Sequence, residues 1–316
     1  MSERRYHIIF NPAAGTARAT GLTTAALGAH FSQAGLVFDI DDDEGTDLGA
    51  RIRRALEGDA DTIVAAGGDG TVLAVAEGLI GSDKQLAVLP LGTLNGLARD
   101  LGLALDLPGA VAQLASLEPR AIDVGEVNGR PFLHNVIVGL IPSIAVGREL
   151  IRGRAGLSTK LLFLRFILRR LTHARRIALA LRSDDGATRI EMVQTLVVAN
   201  NSYDQRVGRI MARRRLDRGT MTVYLIRNFR LRDIIRLSVE MAAGRWRDDE
   251  VIEIEKVHDL TVQAKGERVR VTMDGEVTRL KTPLQFTVLP RSLLVLAPPE
   301  PVVAAAPDAA LATAGA

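Results

Sequence analysis

Three short stretches in the first hundred residues combine glycine with hydroxyl, amide and carboxylate side chains: "NPAAG" (Asn11 to Gly15), "GGDGT" (Gly67 to Thr71) and "PLGTLN" (Pro90 to Asn95). Each follows an apolar run that reads as a strand, and GGDGT is expected to open a helix at Thr71. Backbone N–H groups at such a turn point outward beside the positive end of the helix dipole, and glycine lets a phosphate approach without a Cβ in the way. A tight turn that needs glycine's positive φ accounts for any one of them as well. In an open parallel sheet, however, loops leaving the carboxyl ends of the strands line one crevice, so three such turns can converge on one ligand. Asn11, Thr71, Thr93 and Asn95 would then offer hydroxyl and amide groups to ribose and phosphate. Asp69 could hydrogen-bond or receive a metal that bridges phosphates. The stretch is not a Walker loop, and Leu73 stands where the dinucleotide fingerprint needs its third glycine.

The elements that would position these residues alternate. "RYHIIF", "LVFDI", "DTIVAAG" and "QLAVLP" read as strands, with helical segments at 19–34, 47–57, 71–80 and 93–101. Alternation of this kind implies right-handed βαβ units and a doubly wound, mostly parallel sheet. After about Ile122 the texture changes to strand-like runs separated by turn residues, such as "PFLHNVIVGL", "RIEMVQTLVVAN" and "RVRVTMDGE", with two helical segments between them. That half is expected to be an antiparallel β domain. The Ala/Pro-rich tail 299–316 has no periodicity and is expected to be disordered.

With 316 residues, 47% of them hydrophobic, the chain is long enough for one large or two medium domains. The formal charge is only +3, and lysine occurs only at Lys84, Lys160, Lys256, Lys265 and Lys281. No long basic run is interleaved with aromatics, which disfavours nucleic acid and leaves anionic small molecules or an anionic membrane. Cysteine is absent, which excludes disulfides, thiolate metal sites and cysteine nucleophiles. The N-terminus lacks an apolar signal region, and no uncharged stretch reaches the roughly 18 to 20 residues of a spanning helix, so a cytoplasmic protein is expected. "KLLFLRFILRRLTHARR" (160–176) has helical composition with Arg165, Arg169 and Arg176 on one stripe. Residues 147–176, with Arg148, Arg152 and Arg154, are a candidate peripheral membrane contact, and equally an ordinary helix with a solvated arginine face. His134 reads as a strand histidine and His173 as a surface one.

The three glycine-rich motifs, in this order and spacing, resemble the bacterial diacylglycerol kinase-like lipid kinase family, related to sphingosine and ceramide kinases. The resemblance continues through "IDVGEVNGRPFLHNVIVGL" (Ile122 to Leu140), "VTMDGEV" (Val271 to Val277) and the closing "PRSLLVLAP". It implies an α/β nucleotide-binding domain over 1–123, completed by residues near 291–298, and a β-sandwich-like substrate domain over 124–290. It further implies an ATP site between them that holds Asn11, Pro12, Gly15, Gly67, Gly68, Asp69, Gly70, Thr71, Gly92, Thr93 and Asn95, with Mg2+ bound alongside ATP. The acceptor would be diacylglycerol or a related lipid alcohol.

Transfer of a γ-phosphoryl group to a hydroxyl needs positioned phosphates, a cation and a base near the acceptor. "MDGE" offers two carboxylates, Asp274 and Glu276, and is also a good hairpin turn. By resemblance Glu276 is the proton acceptor, and Asp123 joins an active-site hydrogen-bond network. Two positions depart from the family pattern. Gly96 follows Asn95 where relatives often carry aspartate, and Arg218 precedes Gly219 where those with a structural magnesium carry aspartate, which argues against that magnesium site here. NAD kinase, which shares GGDGT, and a nucleotide- or lipid-binding regulator without catalysis are the competing readings. The oligomeric state is not legible, although exposed strand edges in the second half could pair into a homodimer.

Overall fold

A computed structural model describes residues 4–140, 142, 165, 176–184, 186–204, 213, 215–227 and 252–299. The first half holds four parallel strands, β1 (Arg5–Phe10), β2 (Val37–Asp41), β3 (Thr62–Gly67) and β4 (Gln85–Pro90), in the order β2-β1-β3-β4. Every residue of β3 is buried, as a parallel strand covered on both faces requires, whereas edge strand β2 alternates. Six helices connect or cover them: α1 (Gly15–Thr20), α2 (Thr24–Gln33), α3 (Leu48–Glu57), α4 (Asp69–Leu79), α5 (Gly96–Leu101) and α6 (Leu107–Gln113). The single helix expected at 19–34 is two, because Gly21 ends α1 in the left-handed region and Thr23 starts α2 by accepting the Ala26 N–H. The segment expected from 93 starts at Gly96, because Asn95 also takes a left-handed conformation, at φ 50°.

Next come β5 (Glu118–Val127), β6 (Arg130–Phe132), β7 (Asn135–Gly139), β8 (Ile177–Arg182), β9 (Thr188–Val193), β10 (Thr195–Asn200), β11 (Met221–Ile226), β12 (Ile252–Val257), β13 (Asp259–Ala264), β14 (Arg268–Met273), β15 (Glu276–Lys281) and β16 (Leu284–Ala297). Six of them form an antiparallel sheet, β12-β11-β10-β7-β14-β15. It packs on the antiparallel arm of the first sheet through a core that includes Phe132, Val138, Leu179, Val198, Val223, Val271 and Phe286. Each such side chain withdrawn from water stabilises the sandwich by about 1.5–3 kcal/mol.

The long strand β16 serves both halves. Its end runs parallel to β4 at Val295 and Leu86, its start runs antiparallel to β13, and β5 follows it along both parts with a register shift between Leu289 and Leu293. The boundary expected at 123/124 therefore falls inside a continuous strand, at the irregularity. Apart from Arg165 and Arg176, the candidate membrane stretch 147–176 lies outside the described residues, as does the tail from residue 300 onward. Among the described residues no helix is long and apolar enough to cross a membrane.

Candidate active site

The loops after β1, β3 and β4 are stitched into one surface. Asn11 N–H donates to the Ala66 carbonyl, Thr16 N–H to that of Leu91, and Leu91 N–H to that of Gly67, at 2.8–3.0 Å. Asn11 Nδ2 donates to Thr71 Oγ1 at 3.0 Å, and Thr16 Oγ1 to the Gly92 carbonyl at 3.1 Å. A Cβ on Gly67 would lie 2.5 Å from Thr71 Oγ1, and one on Gly92 2.7 Å from the Gly68 Cα, so at these two positions close approach demands glycine. Helix α4 begins two residues earlier than expected, which places Asp69 and Gly70 in its first turn. The N–H groups of Asp69, Gly70 and Thr71 have no acceptor among the described residues. Together they form an open patch of donors at the positive end of a helix.

The polar side chains of the loops have more specific tasks than ligand contact. Asn95 Oδ1 accepts the Gly92 N–H, and its Nδ2 donates to the carbonyls of Gly92 and Pro90. Asp69 accepts the N–H of Gly96 at 2.7 Å and of Asn95 at 3.1 Å, one on each oxygen. Asn11, Thr71, Asn95 and Asp69 thus brace the loops, while Thr93 and Gly15 lie at the surface, with a Cβ on Gly15 falling 3.1 Å from Thr93 Oγ1. Pro12 fixes the turn between Asn11 and Ala13, whose N–H returns to Asn11 Oδ1. Among the described residues no group of three or more His, Asp or Glu side chains, Asp69 included, could hold a metal ion.

Glu276 reaches this patch from a strand more than two hundred residues away. Its Oε1 lies 3.3 Å from where a Cβ of Gly70 would stand, and its side chain is exposed. The turn that carries it has Asp274 at φ 47° and Gly275 at φ 89°, the pair of positive angles that Asp-Gly supplies in a two-residue hairpin. Asp274 and Glu276, grouped by the sequence as candidate bases, are separated by the geometry. Asp274 accepts three backbone N–H bonds, from Leu133, His134 and Asn135, at 2.7–3.0 Å. Burial pushes its carboxyl above the ordinary carboxylate range, against the downward pull of those bonds. It fixes the start of β7 to the hairpin.

Asp123 sits at the β5–β16 irregularity and is 1% exposed. Its two oxygens accept the N–H groups of Gly219, at 2.6 Å, and of Arg291, a residue at φ 49°. Its carbonyl accepts from Asn200 Nδ2, which also reaches the Leu133 carbonyl. The adjoining departure, Arg218, points its guanidinium toward Asp204 at 3.8 Å, while Asp217 is bonded to Arg215 and held below its usual range chiefly by that bond.

A cluster that the sequence did not single out joins the halves. Arg213, 1% exposed, donates from its backbone N, Nε and Nη2 to Asp100 on α5, and from Nη1 to the carbonyls of Leu133 and Asn200. Its Nη2 also lies 2.7 Å from His134 Nδ1. Among the many arginines of the chain nothing in the sequence distinguishes this one. Burial first, and the Arg213 charge second, hold His134 well below the ordinary histidine range.

Comparison with known proteins agrees with the two-part architecture. Residues 5–127 match the diacylglycerol kinase catalytic domain, and residues 145–297 match the YegS C-terminal NAD kinase beta sandwich-like domain. A "probable lipid kinase YegS-like" of Pseudomonas syringae pv. tomato is 43% identical over 93 residues, 29% of this chain and 30% of that relative. The chain thus aligns with under a third of the length of that relative. A diacylglycerol kinase of Bacillus subtilis is 28% identical over 94% of this chain and 97% of its own. The crystal structure of a diacylglycerol kinase from Bacillus anthracis superposes with a TM-score of 0.65 at 20% identity, over 94% of this chain and 97% of that one, a likeness of fold. With two adjoining domain matches in the order the fold displays, the chain belongs to the diacylglycerol kinase-like lipid kinase family.

Proposed function

We propose that the protein transfers the γ-phosphoryl group of ATP to the hydroxyl of a lipid alcohol, diacylglycerol or a relative of it, with Glu276 as the proton acceptor. The observation that carries this reading is the approach of the Glu276 carboxylate to Gly70, beside three N–H groups of α4 that have no acceptor among the described residues. Those donors, bordered by Gly15, Gly68 and Thr93, suit the phosphates of the nucleotide. The lipid oxygen attacks the γ-phosphorus, the bond to the β-phosphate oxygen breaks, and the hydroxyl proton passes to Glu276. The products are ADP and a lipid phosphomonoester. Mg2+ would enter on the ATP phosphates, since Asp69 is committed to two backbone N–H groups, and no step is assigned to a protein-held ion.

The test is an assay with γ-labelled ATP, Mg2+ and a panel of diacylglycerol, ceramide, long-chain bases and NAD. Label recovered in a lipid phosphomonoester is expected. Label on NAD alone, or on nothing, contradicts the reading.

A further inference from the structure

We propose that His134 is a further binding residue of this site, donating a hydrogen bond from Nε2 to a phosphate oxygen of the bound nucleotide. The inference rests on the nucleotide reading of the three loops. It begins with Gly96, where a Cβ would lie 2.7 Å from both Cε1 and Nε2 of the His134 ring. The imidazole therefore fills the volume that a side chain at position 96 would take, and a group from β7's edge stands where α5 offers none. Gly96 is itself bonded through its N–H to Asp69, in the first turn of α4, so the ring edge borders the same loops as the open donors.

The orientation of the ring is fixed from behind. Arginine has no acceptor, so in the contact with Arg213 Nη2 the Nδ1 atom accepts, and the proton of the neutral ring resides on Nε2. Asp100 Oδ2 lies 3.5 Å from Nδ1 but already accepts Nε and Nη2 of Arg213. Asp274 holds the His134 backbone N–H, and Asn200 donates to its carbonyl. Every other polar atom of the residue is thus engaged, while Nε2 has no partner among the described residues and the side chain stays 20% exposed. A neutral donor held in place costs little reorganisation when an anionic oxygen arrives.

Calorimetric titration of the full chain with AMP-PNP and Mg2+, and separately with AMP, tests this. His134→Phe keeps the ring volume over Gly96 and removes the donor. Its AMP-PNP affinity should fall roughly 10- to 100-fold, the loss of one bond to a charged group, with a smaller effect on AMP. His134→Gln, which carries an amide donor of similar reach, should retain most of the affinity. Wild-type protein with 15N-labelled histidine reports on all five rings, and the signals lost in His134→Phe assign those of His134. The His134 Nε2 resonance should carry the proton before ligand and shift on adding AMP-PNP, an observation made on the wild-type protein itself. Unchanged affinity in a folded His134→Phe, or an unshifted Nε2 resonance in nucleotide-bound protein, overturns the inference and leaves the nucleotide reading standing. Wild-type protein that binds neither nucleotide overturns both.

Discussion

Removing the carboxylate of Asp100 should destabilise the whole molecule, although the residue touches neither the glycine loops nor Glu276. Asp100→Ala takes away the acceptor of three donors of Arg213, its backbone N, Nε and Nη2, at 2.6–3.0 Å. The guanidinium stays buried and, among the described residues, keeps two carbonyls and His134 Nδ1. Breaking one partner from a buried pair costs about 3–5 kcal/mol, which for a chain of this size is a melting shift of about 5–8 °C. Replacing both partners, as Asp100→Leu with Arg213→Met, removes the stranded charge and should recover a large part of that loss. Differential scanning calorimetry of the single and double variants reads the cycle. An Asp100→Ala protein that melts within about 2 °C of wild type would refute the view that this pair joins α5 to the β-sandwich.

Further expectations follow from the same contacts. Asp123→Asn turns one acceptor into a donor against the N–H of Gly219 or Arg291, which should cost about 2–3 kcal/mol and raise amide exchange at those two positions specifically. Gly92→Ala drives a methyl group into Gly68, so the protein should fold with about 1–3 kcal/mol less stability and bind AMP-PNP more weakly, measured by calorimetry. His134 stays neutral in the fold while the unfolded chain protonates near its usual value of 6.5. The unfolded state then binds the extra proton, so stability falls as pH drops below about 6.5, by up to about 1.4 kcal/mol per unit. Chemical denaturation at several pH values should show that slope in wild type and a smaller one in His134→Gln.

The doubly wound half was legible because its strands are apolar runs punctuated by glycine and proline. The order of the loops also followed from the rule that parallel strands present their carboxyl ends together. The helix breaks at Gly21 and Asn95 were harder to place, since both depend on a left-handed residue that local composition does not demand. Glu276 could be picked out by its motif, but its approach to Gly70 depends on β16 and β5 holding the halves in register. The Asp100–Arg213–His134 cluster was invisible for a different reason. Its members are far apart in sequence, and each is of an ordinary type, so only the packing reveals that they meet. Asn11, Asn95 and Asp69 come together as the loop argument expects, yet their side chains bond to backbone and, for Asn11, to the Thr71 hydroxyl, and so brace the loops, a distinction that residue type alone does not make.

The central claim is that Glu276 takes a proton from an acceptor hydroxyl beside nucleotide phosphates. Single-turnover transfer from γ-labelled ATP to diacylglycerol vesicles, compared between wild type and Glu276→Gln at saturating ATP, tests it directly. The expected result is a transfer rate lower by about 10²- to 10⁴-fold with AMP-PNP affinity retained, the loss of a positioned base. Transfer at the wild-type rate by Glu276→Gln would contradict it.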